Sequence, residues 1–428
     1  MDDVLDGAIR KAAWRLMPFL CLLYLVNYLD RVNISFAALT MNSSLGLSAT
    51  VFGIGAGMFF VGYVVCEVPS NLVLARVGAR RWIGRIMVTW GVIAVAMAMV
   101  SGRDSFYVTR LLLGVAEAGF FPGILYFITR WFPAASRAGI ISLFMVGMPA
   151  SSVLGAPIST TILARMDGLA GLAGWQWLFI VEGLPAVVLG LFCFRVLADR
   201  PGLALWLTPA EQTRLEQVLV QERSTIRTTG VREGLLNPRV LALSLLFFLV
   251  TCGLYGTVFW MPQIVRTFGV STLANGFITA LPYALSVMVM VLWGRHSDAT
   301  GERTWHVAIP VLFSATGFVV ASLWLDRPVI AMAGLSAACI GIYSTLPVFW
   351  TLPGRFLTGP AIAGAFALIA SLGNLSGIVI PPIVGWTKDA TGGFTFAMAG
   401  LACALVLAGL LAFACRSPQQ GRLRAAEA

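Results

Sequence analysis

The sequence predicts an all-α polytopic membrane protein, with twelve transmembrane helices in two pseudo-symmetric six-helix bundles. Three observations predict it. The 428 residues are 58% hydrophobic and only 11% charged, with a mean hydropathy of +0.87; soluble domains carry about 25% charged residues. Apolar runs near the ~20 residues that a membrane-crossing helix needs recur twelve times along the chain. Features of the first half return in the second, at offsets of 223 and 225 residues.

The runs cover approximately 17–39, 50–74, 82–101, 106–129, 138–163, 176–198, 240–264, 272–294, 306–325, 328–350, 361–385 and 394–415. The first holds Asp30 and Arg31 inside its apolar stretch. The second contains Gly53, Gly55, Gly57 and Gly62, and the fourth Gly119 and Gly123, series that let helices approach closely. The ninth and tenth are separated only by Asp326-Arg327, the least distinct boundary. The eleventh contains Pro381-Pro382, which should bend or locally unwind it.

Twelve crossings place both termini on one membrane face, and basic residues say which. With the N-terminus inside, inside segments hold 22 of the 29 Lys and Arg, counting Arg85 and Arg195 at the inner ends of their runs; outside loops hold five (Arg103, Arg165, Arg266, Arg327, Lys388), and Arg31 and Arg110 are intramembrane. Positive charge favours the cytoplasmic side, so both termini are expected there. The net charge of +10 is read as this topological signal, not as nucleic-acid binding.

The longest polar stretch, 199–239, divides the chain into an N-terminal bundle (1–198), a central cytoplasmic loop and a C-terminal bundle with a cytoplasmic tail (240–428). Within the loop, Thr208-Pro-Ala-Glu211 is a helix-start signal: a capping hydroxyl, proline at the first helical position, and Glu three residues after the cap. A short surface helix should follow, to about Arg223. The repeat supports the division. Gly78 and Trp82 align with Gly301 and Trp305, and Gly139 and Pro157 with Gly364 and Pro382. Equivalent loops on one face indicate a parallel repeat about an axis along the membrane normal.

Other chemistry finds little support. The seven cysteines (Cys21, Cys66, Cys193, Cys252, Cys339, Cys403, Cys415) lie in or beside apolar runs without a CxxC and read as small buried hydrophobes. His296 and His306 lack metal-ligand spacing, and no signal peptide is apparent. No metal, nucleotide or organic cofactor is implied, and a membrane-embedded enzyme would need a catalytic cluster that the sequence does not show.

Intramembrane charge is uneven. The first half keeps Asp30, Arg31, Glu67, Arg110, Glu117 and Glu182; the six runs of the second half carry none away from their ends. An ionised side chain in hydrocarbon costs several kcal/mol unless it faces protein or a wet cavity. Coupling chemistry is therefore expected in the first half. Arg31 suits a substrate carboxylate, because a guanidinium stays protonated and donates two parallel hydrogen bonds. Permanent pairing with Asp30 is disfavoured, since consecutive helical residues point about 100° apart. Asp30 and Glu117 are the candidate proton carriers, as carboxyls whose surroundings change between shielded and wet change protonation. Glu67 and Glu182 read as helix-packing or gate residues. Tyr255, Trp260, Gln263 and Tyr283 suit either a cavity wall or an interfacial aromatic belt.

Gly294 to Arg303, with Asp298 and Gly301, resembles the cytoplasmic signature of the major facilitator superfamily, and Arg110 with Gly114 resembles its R-x-x-x-G motif. The first-half copy, with Arg80 and Arg81, departs from the pattern at Asn71 and Ala75. Tyr28-Leu-Asp30-Arg31-Val-Asn33, Glu67-Val-Pro-Ser-Asn71, Gly114 through Gly123 and Arg130-Trp-Phe-Pro133 resemble the anion:cation symporter family, especially bacterial members for tartrate and related acids. That resemblance implies substrate contacts at Tyr28, Tyr63 and Trp350, with Asn374 a weaker cavity candidate, and proton transfer at Asp30 and Glu117. For the tyrosines, ordinary packing is an open alternative. The family's sugar-acid members carry an Asn where this chain has Ala370, which points to a different acid. Arg110, expected near the outer end of its helix, and Gly114 are read as a structural or gating pair. The expectation is a monomeric secondary transporter taking up a small organic anion with protons, without nucleic acid. Na⁺-coupled or exchange transport of an aromatic or sugar-acid carboxylate stays open, as does, more remotely, a non-transporting receptor.

Overall fold

In a computed structural model, residues 3–224, 237–357 and 360–414 are described; part of the central loop and the C-terminal tail, with Cys415, lie outside them. Among the described residues all regular structure is helical. The helices are α1 (Asp3–Ser44), α2 (Ala49–Val77), α3 (Ala79–Ala96), α4 (Arg103–Glu117), α5 (Phe120–Trp131), α6 (Ala134–Met145), α7 (Gly147–Arg165) and α8 (Gly174–Val196), then α9 (Pro209–Ser224). The second half has α10 (Pro238–Arg266), α11 (Thr272–Thr300), α12 (Thr304–Leu323), α13 (Pro328–Phe349), α14 (Pro360–Thr391) and α15 (Thr395–Ala414). Twelve helical segments are long and apolar enough to cross a bilayer, α4–α5 and α6–α7 each forming one of them. Every apolar run of the sequence falls on one of these segments.

Local chemistry sets the ends. Ser48 caps α2 by accepting from the Val51 amide at 3.3 Å, and Asn237 caps α10 by accepting from the Arg239 amide at 2.9 Å. The start signal at Thr208 is realised as a reciprocal box: the Thr208 amide donates to Glu211 at 2.9 Å and the Glu211 amide to the Thr208 hydroxyl at 3.3 Å. Lys11 of α1 pairs with Glu211 at 2.7 Å, so α9 is tied to the first bundle. These hydrogen bonds hold the Glu211 carboxyl below its ordinary range, Lys11 contributing most.

The chain divides into two compact units, Met1–Arg227 with Val270–Ala280, and Thr228–Gly269 with Leu281–Ala428. In the first, α1 packs on α7 and α8, α2 on α4, and α3 on α8. A Cβ on Gly62 would collide with the Leu111 carbonyl, and one on Gly114 with the Phe59 carbonyl. Glycine at both positions therefore permits the close α2–α4 contact. In the second unit α10 packs on α14 and α15, and α12 on α13 and α15.

Three expectations need correction. The loops carrying the repeat are shorter than the sequence suggested: Gly78 alone separates α2 from α3, and Gly301–Arg303 separate α11 from α12, because the flanking motif residues extend the helices. Of the bend or local unwinding expected at Pro381 and Pro382, the unwinding does not occur, since both lie inside a continuous α14. Arg103, Arg165, Arg266 and Lys388, assigned to outside loops, are helical, in the first turn of α4 and the last turns of α7, α10 and α14.

Candidate functional site

In the first unit, α1, α2, α3 and α4 bring a charged cluster into the apolar interior. Arg31 of α1 forms an ion pair with Glu117 of α4, their side chains 12% and 2% exposed. The Arg31 guanidinium lies 5.2 Å from the Phe59 ring, 5.3 Å from Tyr63 and 5.9 Å from Tyr28. Three aromatic faces around one cation form a cage that favours charge while excluding bulk water. Asp30, its neighbour in sequence, points elsewhere. Its carboxylate accepts from Asn33 at 2.8 Å and from the Trp90 indole of α3. The two adjacent charges thus take different partners, as helical geometry requires.

Glu117 owes its position to a break. α4 ends on it, Ala118 leaves the helical region, and Gly119 adopts φ 87°, ψ 0° before α5 begins. Left-handed backbone is natural only for glycine, and a Cβ here would collide with the Ser70 hydroxyl. The interruption sits inside a segment that would otherwise cross the membrane as one helix. Arg110 lies two turns inside α4, fully buried, with its guanidinium 4.9 Å from the Phe59 ring and Nε 3.4 Å from the Gly55 carbonyl. It interacts electrostatically with Glu117, Asp30 and Arg31, so it belongs to the cluster and is not confined to the helix end. Glu182 of α8 is also buried and accepts from Ser159 of α7 at 2.7 Å. Glu67 is half-buried and feels the Arg31 charge.

The second unit holds the remaining candidates. Trp350, at the end of α13, meets Phe247 at 4.9 Å, Phe366 at 5.4 Å and Phe349 at 5.5 Å between ring centroids. Asn374 of α14 accepts from the Tyr255 hydroxyl of α10 at 3.3 Å, beside Gly373, where Phe247 abuts the backbone. Trp350 and Asn374 therefore border one aromatic seam between α10 and α14.

The motif residues lie at helix ends. Arg303 bonds Asp298 at 2.6 Å and Ser297 at 2.7 Å, beside Gly301 with φ 65°. In the first unit, where Ala75 replaces the expected acid, Asp199 accepts from the Arg80 amide at 2.8 Å, while the Arg80 side chain binds the Phe194 carbonyl. Arg81 is exposed, and Gly294 lies within α11. Sequence reasoning assigned no role to Phe59, Trp90 or Ser159. Only the recurrence of aromatic residues in helices α2 and α3 hinted at the first two.

Twelve membrane-length helices, with opposite charges and aromatic side chains gathered inside one bundle, define a polytopic membrane transport protein. The chain belongs to the major facilitator superfamily, whose family model matches residues 20–381; its members are transporters, not enzymes. The chain is 48% identical over 412 residues to an Agrobacterium vitis protein named "Putative tartrate transporter", covering 96% of this chain and 91% of that one. It is 41% identical to a quinolone resistance transporter of Acinetobacter baumannii, covering 91% and 90%. Among solved structures, the xylose transporter XylE from E. coli superposes with a TM-score of 0.76 at 16% identity, covering 94% of this chain and 98% of that one.

Proposed function

We propose that the protein is a proton-coupled symporter that takes up a small organic anion, a hydroxylated or dicarboxylic acid such as tartrate, across the bacterial cytoplasmic membrane by alternating access. The observation that carries this reading is the Arg31–Glu117 pair within the cage of Tyr28, Phe59 and Tyr63. With Glu117 ionised, the guanidinium is neutralised and holds no substrate. A proton on Glu117 breaks that ion pair, and the guanidinium can then donate two parallel hydrogen bonds to a carboxylate. Proton and anion thereby favour each other's binding, which is the thermodynamic content of symport. Asp30, held by Trp90 and Asn33, is the second proton carrier in this scheme. Tyr28 and Tyr63 offer hydroxyls that both donate and accept, which suits a hydroxy acid.

Trp350 and Asn374 supply polar and aromatic surface for the cargo from the second unit. Arg110 and Gly114 hold α4 against α2, and Arg80, Asp298 and Arg303, beside Gly301 and in the same two motifs as Arg81 and Gly294, form the helix-end contacts that change as the transporter switches access. The naming of the Agrobacterium relative supports the class of cargo. Uptake of labelled tartrate into proteoliposomes under an imposed pH gradient tests the reading. Accumulation that follows the pH gradient and survives replacement of Na⁺ is expected; accumulation that needs Na⁺, or none with a panel of organic acids, would overturn it.

A further inference from the structure

We infer that Lys388 and Gln263 form a second anion-binding site, within the second unit, that takes a carboxylate of the transported acid; its ligand class rests on the cargo being an organic anion. Lys388 lies in the last turn of α14, and Gln263 one turn before the end of α10. The Lys388 ammonium donates to the Gln263 carbonyl oxygen at 3.2 Å. It sits 4.8 Å from the Phe394 ring centroid and 5.9 Å from that of Trp260. Its charge is offset only by the next residue in the chain, Asp389, and among the described residues no carboxylate forms an ion pair with it.

The second observation is the amide nitrogen of Gln263. The residue is 7% exposed, and with its oxygen engaged by Lys388 its nitrogen has no hydrogen-bond partner. Buried polar groups are nearly always paired, and an orphan donor beside a cation with no ion-pair partner among the described residues asks for an acceptor. A carboxylate accepting from the ammonium and from the amide would satisfy both. Both helices end here at the face that the distribution of Lys and Arg makes the outer one. A fixed cation at that face raises the local concentration of anion, so its effect belongs in KM rather than in the maximal rate. A lysine that merely complements the α14 terminus would affect stability alone.

Tartrate uptake by reconstituted wild type, K388M and Q263E under one pH gradient tests this. K388M should raise KM about tenfold at an unchanged maximal rate, the loss of one charge-assisted hydrogen bond. Q263E should raise KM similarly without lowering the melting midpoint, since its own carboxylate fills the site. A KM within twofold of wild type in both variants, or a loss confined to maximal rate, would overturn the inference. A binding measurement separates it from the transport reading. The melting midpoint of R31Q should rise in sodium tartrate relative to sodium chloride of equal ionic strength, and that rise should vanish in R31Q/K388M. If wild type moves none of a panel of organic acids, the transport reading falls while this comparison still decides the anion site; no rise in R31Q would sink the site itself.

Discussion

At the residue scale the decisive fact is that Arg31 and Glu117 neutralise each other inside a ring of aromatic side chains. A planar guanidinium and an ammonium are not equivalent there, because only the first donates two parallel bonds and spreads its charge over ring faces. Arg31→Lys should therefore cut uptake at least tenfold while surface expression stays within twofold of wild type; uptake and membrane abundance measured on the same cells decide, and normal uptake removes Arg31 from the substrate site. Glu117→Gln removes the carboxylate that forms the ion pair with the Arg31 guanidinium. Gradient-driven accumulation should collapse to equilibration while counterflow of preloaded anion persists, and undiminished accumulation would exclude Glu117 as a proton carrier. These residues were legible in the sequence because charge is conspicuous against an apolar background. Their partners were not: Trp90 reaches Asp30 across 60 positions and Glu117 reaches Arg31 across 86. Nothing local in a helix tells a tryptophan at a polar contact from one in ordinary packing.

At the scale of elements, the break between α4 and α5 places Glu117. The glycine series announced close packing but not the left-handed turn at Gly119. Gly119→Ala should cost about 1–2 kcal/mol through backbone strain alone, more with the Ser70 collision, and should lower the melting midpoint; an unchanged midpoint would show that the break relaxes freely. The start of α12 shows a different control. Burial pushes the Glu302 carboxyl up, but hydrogen bonds from the His306 side chain and from the amides of Trp305, His306 and Thr304 outweigh it and hold it below the ordinary range. Because this carboxyl is depressed in the folded protein, its stabilisation is present above the unfolded value of about 4.3 and fades as pH falls through the folded one. Glu302→Gln should thus lower the midpoint at pH 7 by the loss of about 0.5–1 kcal/mol, with the gap closing below about pH 4. A gap that does not change with pH would deny the charged cap. Glu302, His306 and His296 form one chain, with contacts of 3.1 and 2.8 Å. The sequence, showing two histidines ten positions apart, gave no reason to connect them.

At the scale of the whole molecule, the asymmetry of Lys and Arg makes a definite topological prediction. Reporter fusions at the C-terminus should fluoresce as cytoplasmic protein, and alkaline phosphatase fused at Arg103 or Arg327 should be active on the outer side; the reverse pattern would invert the uptake model. Twelve spans, their order and the short helix α9 were all readable in advance, because hydrophobic run length and capping chemistry are properties of contiguous residues. The sequence by itself therefore determined the membrane class, the number of crossings and the concentration of charge in the first half. Only the tertiary structure decided which distant side chain meets each charge: Glu117 at Arg31, Trp90 at Asp30, and Gln263 at a lysine 125 residues away. The physical reason is range. Transfer to lipid is settled a helix at a time, whereas a buried charge is compensated by whichever helix the packing of the bundle sets beside it.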